Sequence, residues 1–430
     1  MKASFYTLGC KVNQYETEAM RRLLENRGFK TTEWFPGHMV ESDCIVINSC
    51  TVTAEADRKL RQLLNRARRE HPHAIIAVTG CMPQAFPEDA AQLEAADIIL
   101  GNAARQLLPK HIEQYCISHQ RIIDVTPHDK VFEETPIETF QEHTRAFVKI
   151  EDGCNRFCTY CIIPYARGRV RSRSLEDLKQ EVTKLAENGY KEIVLVGINL
   201  TAYGQDCGMD ISHAVETVCA VKGIARVRLG SIEPDHLAPA ILDRLAAQKK
   251  LCPQFHLALQ SGCDATLKRM RRQYTCAEYA ALCVDLRSRF PGCAITTDFM
   301  VGFPGETDDE FAQSLSFVQQ MQLARVHIFA YSRRPGTPAA KSPLQITNHI
   351  KAARSKQAGE ACRHLQQQFA ASKIGSETTV LLETSGNDGT IYGYTPEYVG
   401  VHVKTTAAPG EIVRVLITDA KEGECFGTEI

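Results

Sequence analysis

A chain of 430 residues is longer than one hydrophobic core usually serves, so two or three domains are expected. Hydrophobic residues at 44% and charged residues at 23% exclude disorder and collagen-like repetition. Lys plus Arg number 50 against 51 Asp plus Glu, and the net charge of -1 excludes a global attraction to polyanions, so nucleic-acid binding would need local basic patches.

In chain order, short β-branched runs alternate with helical patterns from the start. Ser4 to Leu8 precedes a helix from Asn13 to Gly28, Cys44 to Asn48 precedes one from Ala54 to Glu70, and Ala74 to Thr79 follows. This βαβ punctuation implies an open parallel α/β sheet in an N-terminal domain of residues 1–135. The polar stretch from Thr126 to His143 reads as a linker, with a boundary at about 130 to 142. A central domain, residues 140–370, then supplies six strand candidates: Ala146 to Ile150, Glu192 to Val196, Ala225 to Leu229, Gln254 to Leu259, Ala294 to Phe299 and Arg325 to Phe329. Six such strands suggest a partial (βα)6 barrel, whose active site would lie at the strands' C-terminal ends. After a long helical pattern from Ile346 to Ser372, short strands at Thr378 to Glu383, Thr390 to Tyr394, Tyr398 to Lys404 and Glu411 to Thr418 predict a small β-barrel over 373–430.

Seventeen cysteines, an odd count, cannot all pair within the chain, which points to metal or redox chemistry. The N-terminus lacks a long apolar core and no run approaches the ~18 apolar residues of a membrane span. A reducing cytoplasm, with no membrane partner, is the expectation. Cys154, Cys158 and Cys161 fall in one loop directly after a strand, and soft thiolates select zinc or iron-sulfur clusters. A structural zinc site wants a fourth ligand, and no neighbouring Cys or His completes this set. In a cubane cluster, three protein ligands leave one iron with an open vertex for a further ligand.

The spacing CxxxCxxC, with Tyr160 before its last cysteine, resembles the signature of the radical S-adenosylmethionine superfamily. The resemblance implies reductive cleavage of that cofactor to a 5'-deoxyadenosyl radical at a 4Fe-4S cluster held by Cys154, Cys158 and Cys161 as the catalytic set. Gly197 and Asn199 follow the second strand of the central domain, Ser231 the third, and Gln260 and Ser261 the fourth. With Tyr160 they are the candidate cofactor contacts, although each glycine alone also reads as an ordinary turn residue. Gly302-Phe303-Pro304-Gly305 follows the fifth strand in the same way.

In the N-terminal domain Cys10, Cys50 and Cys81 each stand just past a parallel strand, where open α/β sheets bind ligands. Singly, each also reads as a buried small hydrophobe, as Cys44 does. Together they suggest a second three-thiolate cluster site. The words GCKVNQYETE, NSCTVT and GCMPQ resemble the methylthiotransferase family, whose N-terminal domain carries an auxiliary 4Fe-4S cluster and whose last domain is an RNA-gripping β-barrel of the TRAM type. The resemblance implies two 4Fe-4S clusters, S-adenosylmethionine as both methyl donor and radical source, and insertion of a methylthio group at an unactivated C–H carbon. It further implies a tRNA anticodon stem-loop as substrate, a low-potential electron donor, and a sulfur donor as a further candidate partner. The run from Gly9 to Glu18 is similar to the branch acting at C2 of N6-threonylcarbamoyladenosine next to the anticodon. Isopentenyladenosine tRNA and a ribosomal protein are the substrates of the alternative branches, and a non-catalytic iron-sulfur or zinc protein is the rival from another class.

Arg167, Arg169, Arg171 and Arg173 alternate along a segment that would present them on one face of a strand, a stripe able to follow a phosphate backbone. Arg58, Lys59, Arg61, Arg66, Arg68 and Arg69 crowd one helix, and Lys268, Arg269, Arg271 and Arg272 form another cluster. Both also read as solvated faces.

Overall fold

The computed structural model describes residues 1–38, 41–133, 137, 139, 144–386 and 389–430. The expected linker boundary falls largely outside these described residues. The chain forms two compact units: Met1–Ile137 with Glu151–Arg173 and Ser332–Ala340, and Glu138–Ile150 with Ser174–Tyr331 and Lys341–Ile430. Residues 151–173, expected in the central domain, thus group with the N-terminal sheet.

The first unit is a six-stranded parallel sheet. Its strands are β1 (Lys2–Thr7), β2 (Lys30–Glu33), β3 (Cys44–Ser49), β4 (Ile75–Gly80), β5 (Ile98–Leu100) and β6 (Ile122–Asp124), in the order β2-β1-β3-β4-β5-β6. Helices α1 (Lys11–Glu25), α2 (Ala54–Glu70), the short α3 (Cys81–Ala85) and α4 (Pro87–Ala91), and α5 (Leu108–Ser118) connect them. Alternate residues of β3 enter opposite cores, Ile45 and Ile47 packing with Leu60 and Leu64 of α2, Cys44 and Val46 with Met20 and Leu24 of α1. A strand buried on both faces explains its unbroken apolar run. Helix α2 starts where the Thr53 side chain accepts from the Ala56 amide, and Glu55 and Asp57 occupy its first turn. Strand order reverses between β1 and β3, which places the ligand crevice of an open α/β sheet at their carboxyl ends. The same unit holds the hairpin of β8 (Glu151–Asp152) and β9 (Arg171–Ser172), with α6 (Ile163–Arg167) between them.

The second unit contains the partial barrel. β7 (Ala146–Lys149), β10 (Glu192–Val196) and β11 (Arg226–Leu229) form one parallel arc, and β12 (Ser231–Ile232), β13 (Gln254–Leu257), β14 (Ala294–Val301) and β15 (Arg325–Ala330) another. The isolated parallel bridge of Val227 with Leu251 spans the seam. Helices α7 (Leu175–Glu187), α8 (Ile211–Ala220), α9 (Pro239–Ala246), α10 (Asp264–Met270), α11 (Cys276–Arg289) and α12 (Asp308–Gln320) alternate with these strands. Capping boxes start α11 (Thr275 with Glu278) and α12 (Thr307 with Glu310).

Helix α13 (Asn348–Ala371) then leads to a closed barrel. It is formed by β16 (Glu377–Ser385), β17 (Thr390–Tyr394), β18 (Gly400–Lys404), β19 (Ile412–Lys421) and β20 (Glu424–Glu429), in the order β16-β17-β18-β20-β19. Val380, Leu382, Val401, Val403, Val415 and Cys425 fill it. The unexpected β20 closes the ring by pairing parallel with β18 and antiparallel with β19, which removes both sheet edges. Arg226 donates to the Tyr394 carbonyl at 3.0 Å and Arg228 to the Pro396 carbonyl at 2.8 Å, anchoring this barrel to the strands of the α/β barrel. Among the described residues no helix is long and apolar enough to cross a membrane.

Candidate active site

Cys10 is the N-cap of α1, Cys50 follows β3 and Cys81 opens α3, so all three stand at the carboxyl edge of the sheet beside the crevice. The backbone there is built for close approach. Gly80 has φ of +107°, and a Cβ on it would stand 2.3 Å from the Ser49 carbonyl oxygen. One on Gly9, at φ of +122°, would stand 2.9 Å from Cys50 Cβ. Only glycine permits these turns, and they bring the three cysteine-bearing chain segments together. Asn13 binds the turns to one another, its Nδ2 donating to the Ser49 carbonyl at 2.9 Å and the Leu8 carbonyl at 3.1 Å. Ser49 Oγ donates to the Thr79 carbonyl at 2.6 Å. Burial first, then the neighbouring Cys81, pushes the Cys50 thiol up to about 12, with Cys10 acting in the same direction. A multivalent cationic centre would relieve this crowding of sulfurs. Among the described residues no three His, Cys, Asp or Glu side chains surround a single metal-ion position. A cubane spreads its thiolates over separate irons and does not ask for that convergence. Donor type, glycine turns and mutual proximity fit an iron-sulfur cluster.

A buried ionic network backs this edge. Arg167 is fully buried; its guanidinium pairs with Glu16 through both Nη atoms, Nη2 to Oε2 at 2.9 Å, and Nη2 also donates to Asn13 Oδ1 at 3.1 Å. Its Nε donates to Cys81 Sγ at 3.2 Å. Burial opposes the Arg167 charge most strongly, but Cys81, Glu16 and Asp152 together hold it well above the usual arginine range, so it remains a cation. Arg105 Nη1 lies 3.1 Å from Glu16 Oε1 and donates to Asn102 Oδ1 at 3.0 Å. On the Cys50 side, Arg334 Nη2 donates to Thr51 Oγ1 at 2.7 Å and Asp57 Oδ2 at 2.6 Å.

The loop of Cys154, Cys158 and Cys161 hangs between β8 and β9. The Cys154 amide donates to the Gly168 carbonyl at 3.0 Å and the Cys161 amide to the Cys158 carbonyl at 3.0 Å. Gly153 has φ of +88°, and a Cβ there would meet the Arg169 carbonyl oxygen at 1.9 Å, so the chain enters the loop in a conformation reserved for glycine. Tyr160 is half-buried beside Thr159, whose carbonyl accepts from the Ala339 amide at 2.9 Å. Three thiolates in one short, pinned loop fit a cluster with one open vertex.

In the second unit the expected cofactor contacts fall at strand ends, in different surroundings. Gly197 is half-buried and Asn199 buried beyond β10. Gln260, beyond β13, is 7% exposed with φ of +67°, and its Oε1 has no hydrogen-bond partner among the described residues. A buried, left-handed residue with an orphaned acceptor fits a ligand-binding position. Ser231 is exposed on β12. Ser261 is fully buried, its hydroxyl 3.0 Å from Ser314 Oγ and accepting from the Cys263 amide at 3.3 Å, so it joins a turn to α12. The sequence reading passed over His256 and Asp298, whose Nε2 and Oδ2 lie 3.3 Å apart on adjacent strands β13 and β14. The available signal was one titratable residue within each of two consecutive predicted strands.

The arginine stripe is corrected by the structure: Arg167, Arg171 and Arg173 are buried. Only a short stretch of that segment is strand. Arg171 Nη1 donates to the Arg167 and Arg169 carbonyls at 3.0 and 2.8 Å, and Arg173 Nη1 to the Tyr15 hydroxyl at 3.4 Å. Arg169 alone is exposed, stacked 4.6 Å over Phe157. It joins Lys130, Asp129, His128 and Tyr165 around a cavity of about 680 Å³. On α2, Arg58, Arg66 and Arg68 pair with Glu55, Glu70 and Asp97, leaving Lys59, Arg61 and Arg69 exposed. Arg269 and Arg272 pair with Glu310 and Glu233.

Three family models match in series: the Uncharacterized protein family UPF0004 over residues 2–101, the Radical SAM superfamily over 148–318 and the TRAM domain over 371–428. The threonylcarbamoyladenosine tRNA methylthiotransferase MtaB of Bacillus subtilis (strain 168) is 37% identical, covering 97% of this chain and 94% of its own. Its counterpart in Aquifex aeolicus (strain VF5) is 34% identical over 97% of this chain and 100% of its own. A tRNA-2-methylthio-N(6)-dimethylallyladenosine synthase of Pelotomaculum thermopropionicum is 35% identical over 99% and 97%. Among solved structures, the radical S-adenosylmethionine methyltransferase TsrM from Kitasatospora setae aligns with a TM-score of 0.59 over 79% of this chain and 77% of its own. At 14% identity this is a likeness of fold. Full-length similarity at this level, joined to the two cysteine sets, makes the chain a member of the radical S-adenosylmethionine methylthiotransferase family.

Proposed function

We propose that the protein is a tRNA methylthiotransferase that adds a methylthio group at C2 of N6-threonylcarbamoyladenosine next to the anticodon. The observation that carries this reading is the pair of separate three-cysteine sets, one in a pinned loop and one at the sheet's switch point. The similarity of the Gly9 to Glu18 run and of the relatives named for threonylcarbamoyladenosine supports the choice of base. Cys154, Cys158 and Cys161 would hold one 4Fe-4S cluster, and Cys10, Cys50 and Cys81 the other. With S-adenosylmethionine, the bound clusters supply a 5'-deoxyadenosyl radical able to take hydrogen from an aromatic carbon, and a sulfur site for the methyl group.

The chain's own part is placement. The β8–β9 hairpin orients the three-thiolate loop, and the glycines before Cys10 and Cys81 let the strand ends close on the second set. Gly197, Asn199 and the orphaned Gln260 acceptor stand at strand ends of the second unit suited to hold S-adenosylmethionine, and Tyr160, on the three-thiolate loop of the first unit, is a further candidate contact. Ser231 is the weaker contact and Ser261 serves its turn. The division of labour follows 1–135, 140–370 and 373–430, with the last holding the tRNA anticodon stem-loop in the cytoplasm. A low-potential electron donor and a sulfur donor complete the partners.

The test is an anaerobic assay of the reconstituted enzyme on tRNA carrying threonylcarbamoyladenosine, on tRNA carrying dimethylallyladenosine, and on a ribosomal protein, with nucleosides and peptides read by mass spectrometry. A methylthio product on the first alone is expected. A product only on the second would assign the protein to the substrate of the 35% identical synthase, and a product only on the third would remove tRNA as substrate.

A further inference from the structure

We propose that Arg167 is a positioning residue of the N-terminal three-cysteine site, holding Cys81 through a hydrogen bond to its sulfur and setting how readily the cluster there accepts an electron. The proposal rests on the reading of Cys10, Cys50 and Cys81 as ligands of a 4Fe-4S cluster. Nothing in a plain buried ion pair requires the geometry observed. Glu16 and Asn13 occupy the two Nη atoms of Arg167 and orient the plane of the guanidinium, and its remaining edge, Nε, lies 3.2 Å from Cys81 Sγ.

The side chain is not left to choose this orientation. Glu16 is itself held by Arg105 at 3.1 Å, Arg105 by Asn102 Oδ1 at 3.0 Å, and Asn102 Nδ2 donates to the Ala166 carbonyl at 3.0 Å, next to Arg167 in the chain. Backbone and guanidinium are thus anchored by one closed circuit, with a single donor directed at sulfur. The same arginine follows the catalytic loop closely in sequence, so one short segment carries Cys154, Cys158 and Cys161 and also grips a ligand of the other set.

A charge-assisted hydrogen bond draws electron density from a ligating thiolate and favours the reduced cluster; such outer contacts also fix ligand orientation. Lysine cannot replace this. Its ammonium is a point donor without the planar fork that grips Glu16 while presenting a separate edge to sulfur.

The experiment uses the full chain with Cys154, Cys158 and Cys161 all changed to Ala, reconstituted anaerobically so that only the N-terminal cluster remains, and follows its reduction by electron paramagnetic resonance in a redox titration. Arg167→Lys and Arg167→Met are then introduced into that background. Iron should stay at the parent's level in Arg167→Lys while the midpoint potential falls. The reduced-to-oxidised ratio at the parent's midpoint should drop about tenfold, equivalent to ~59 mV for a one-electron couple. If Arg167→Met loses its iron, Arg167→Lys decides, because it retains the charge and lacks the directed Nε donor. An unchanged midpoint and spectrum in Arg167→Lys overturns the role of Arg167 while leaving the cluster in place. A parent without iron overturns the auxiliary-cluster reading and this proposal with it.

Discussion

The two cysteine sets of the first unit are assembled by opposite means. Cys154, Cys158 and Cys161 share one loop, and local hydrogen bonds between Cys154 and Gly168 and between Cys161 and Cys158 shape it. Cys10, Cys50 and Cys81 are far apart in sequence and meet through the parallel register of β1, β3 and β4, two glycine turns and the hydrogen bonds of Asn13. A contiguous set depends on one turn. A dispersed set depends on the whole sheet edge, and on buried charges that hold strand ends, helix α1 and the Arg167 segment in place.

The largest expected effect separates the two sets by chemistry. Cys158→Ala should abolish both 5'-deoxyadenosine release and methylthio transfer. Cys81→Ala should continue to release 5'-deoxyadenosine while forming no methylthiolated nucleoside. Iron should fall in each from about eight to about four per chain. Chromatography of 5'-deoxyadenosine beside mass spectrometry of the tRNA nucleosides reads both activities. Normal product from Cys81→Ala would end the claim that the dispersed set delivers sulfur.

This contrast also explains what could be read in advance. The contiguous set was visible as spacing alone, and so were the strands long and apolar enough to show a pattern, such as β3, β10 and β14. The dispersed set was visible only because each cysteine follows a strand. The edge strands β2 (KTTE) and β6 (IID) are short and partly polar, and β20 (ECFGTE) alternates weakly, so none carried a signal above turn sequence. The arginine stripe misled because a run of alternating cations looks alike whether its partners are phosphates or the buried Glu16, Asp152 and carbonyl groups that it meets here. Gln260 was singled out for its chemistry, but its left-handed backbone and orphaned oxygen are tertiary facts.

The dispersed set should be the more fragile to backbone change. Gly80→Ala places a Cβ 2.3 Å from the Ser49 carbonyl at φ of +107°, so strain and overlap together should cost roughly 2–6 kcal/mol. Gly189→Ala, also at positive φ but with open space around its Cβ, should cost only the backbone strain, about 1–2 kcal/mol. Chemical denaturation of both variants measures the difference. Equal stability would show that the strand-end approach is not tight.

The second unit has its own buried charge, and it gives a pH signature. Glu192 lies 2.9 Å from Arg228 Nε and 3.5 Å from Arg226 Nη1, all three buried, with the shorter contact the dominant one. Burial pushes its carboxyl upward most strongly, yet Arg228, Arg145 and Arg226 together hold it below the ordinary value of 4.5. A depressed folded value means that the stabilisation is complete above 4.5 and is lost as the pH falls through the lower folded value. Glu192→Gln should therefore destabilise the chain by about 3–5 kcal/mol at neutral pH, by leaving Arg228 buried without its carboxylate. The gap from the parent should narrow on acidification. A gap that stays constant from neutral pH down to acid unfolding would show that the carboxylate charge is not what stabilises this unit.

The smallest expected effect divides the arginine stripe itself. Arg173 is 1% exposed and its guanidinium reaches the Tyr15 hydroxyl, so Arg173→Ala should remove buried packing and a charged hydrogen bond and cost about 2–4 kcal/mol. Arg169 is exposed over the Phe157 ring and contributes one cation to the rim of the 680 Å³ cavity. Arg169→Ala should cost the fold at most about 1 kcal/mol, the worth of an exposed cation–π contact. If that rim meets the RNA backbone, the variant should weaken tRNA binding severalfold and reduce the slope of log affinity against log salt by about 1, the loss of one phosphate contact. Measuring stability and salt-dependent tRNA affinity on both variants separates the roles. A salt slope unchanged in Arg169→Ala would leave the stripe without any nucleic-acid contact, its three buried members acting only within the protein, and would move the search for the RNA-binding cations to Lys59, Arg61 and Arg69 on α2.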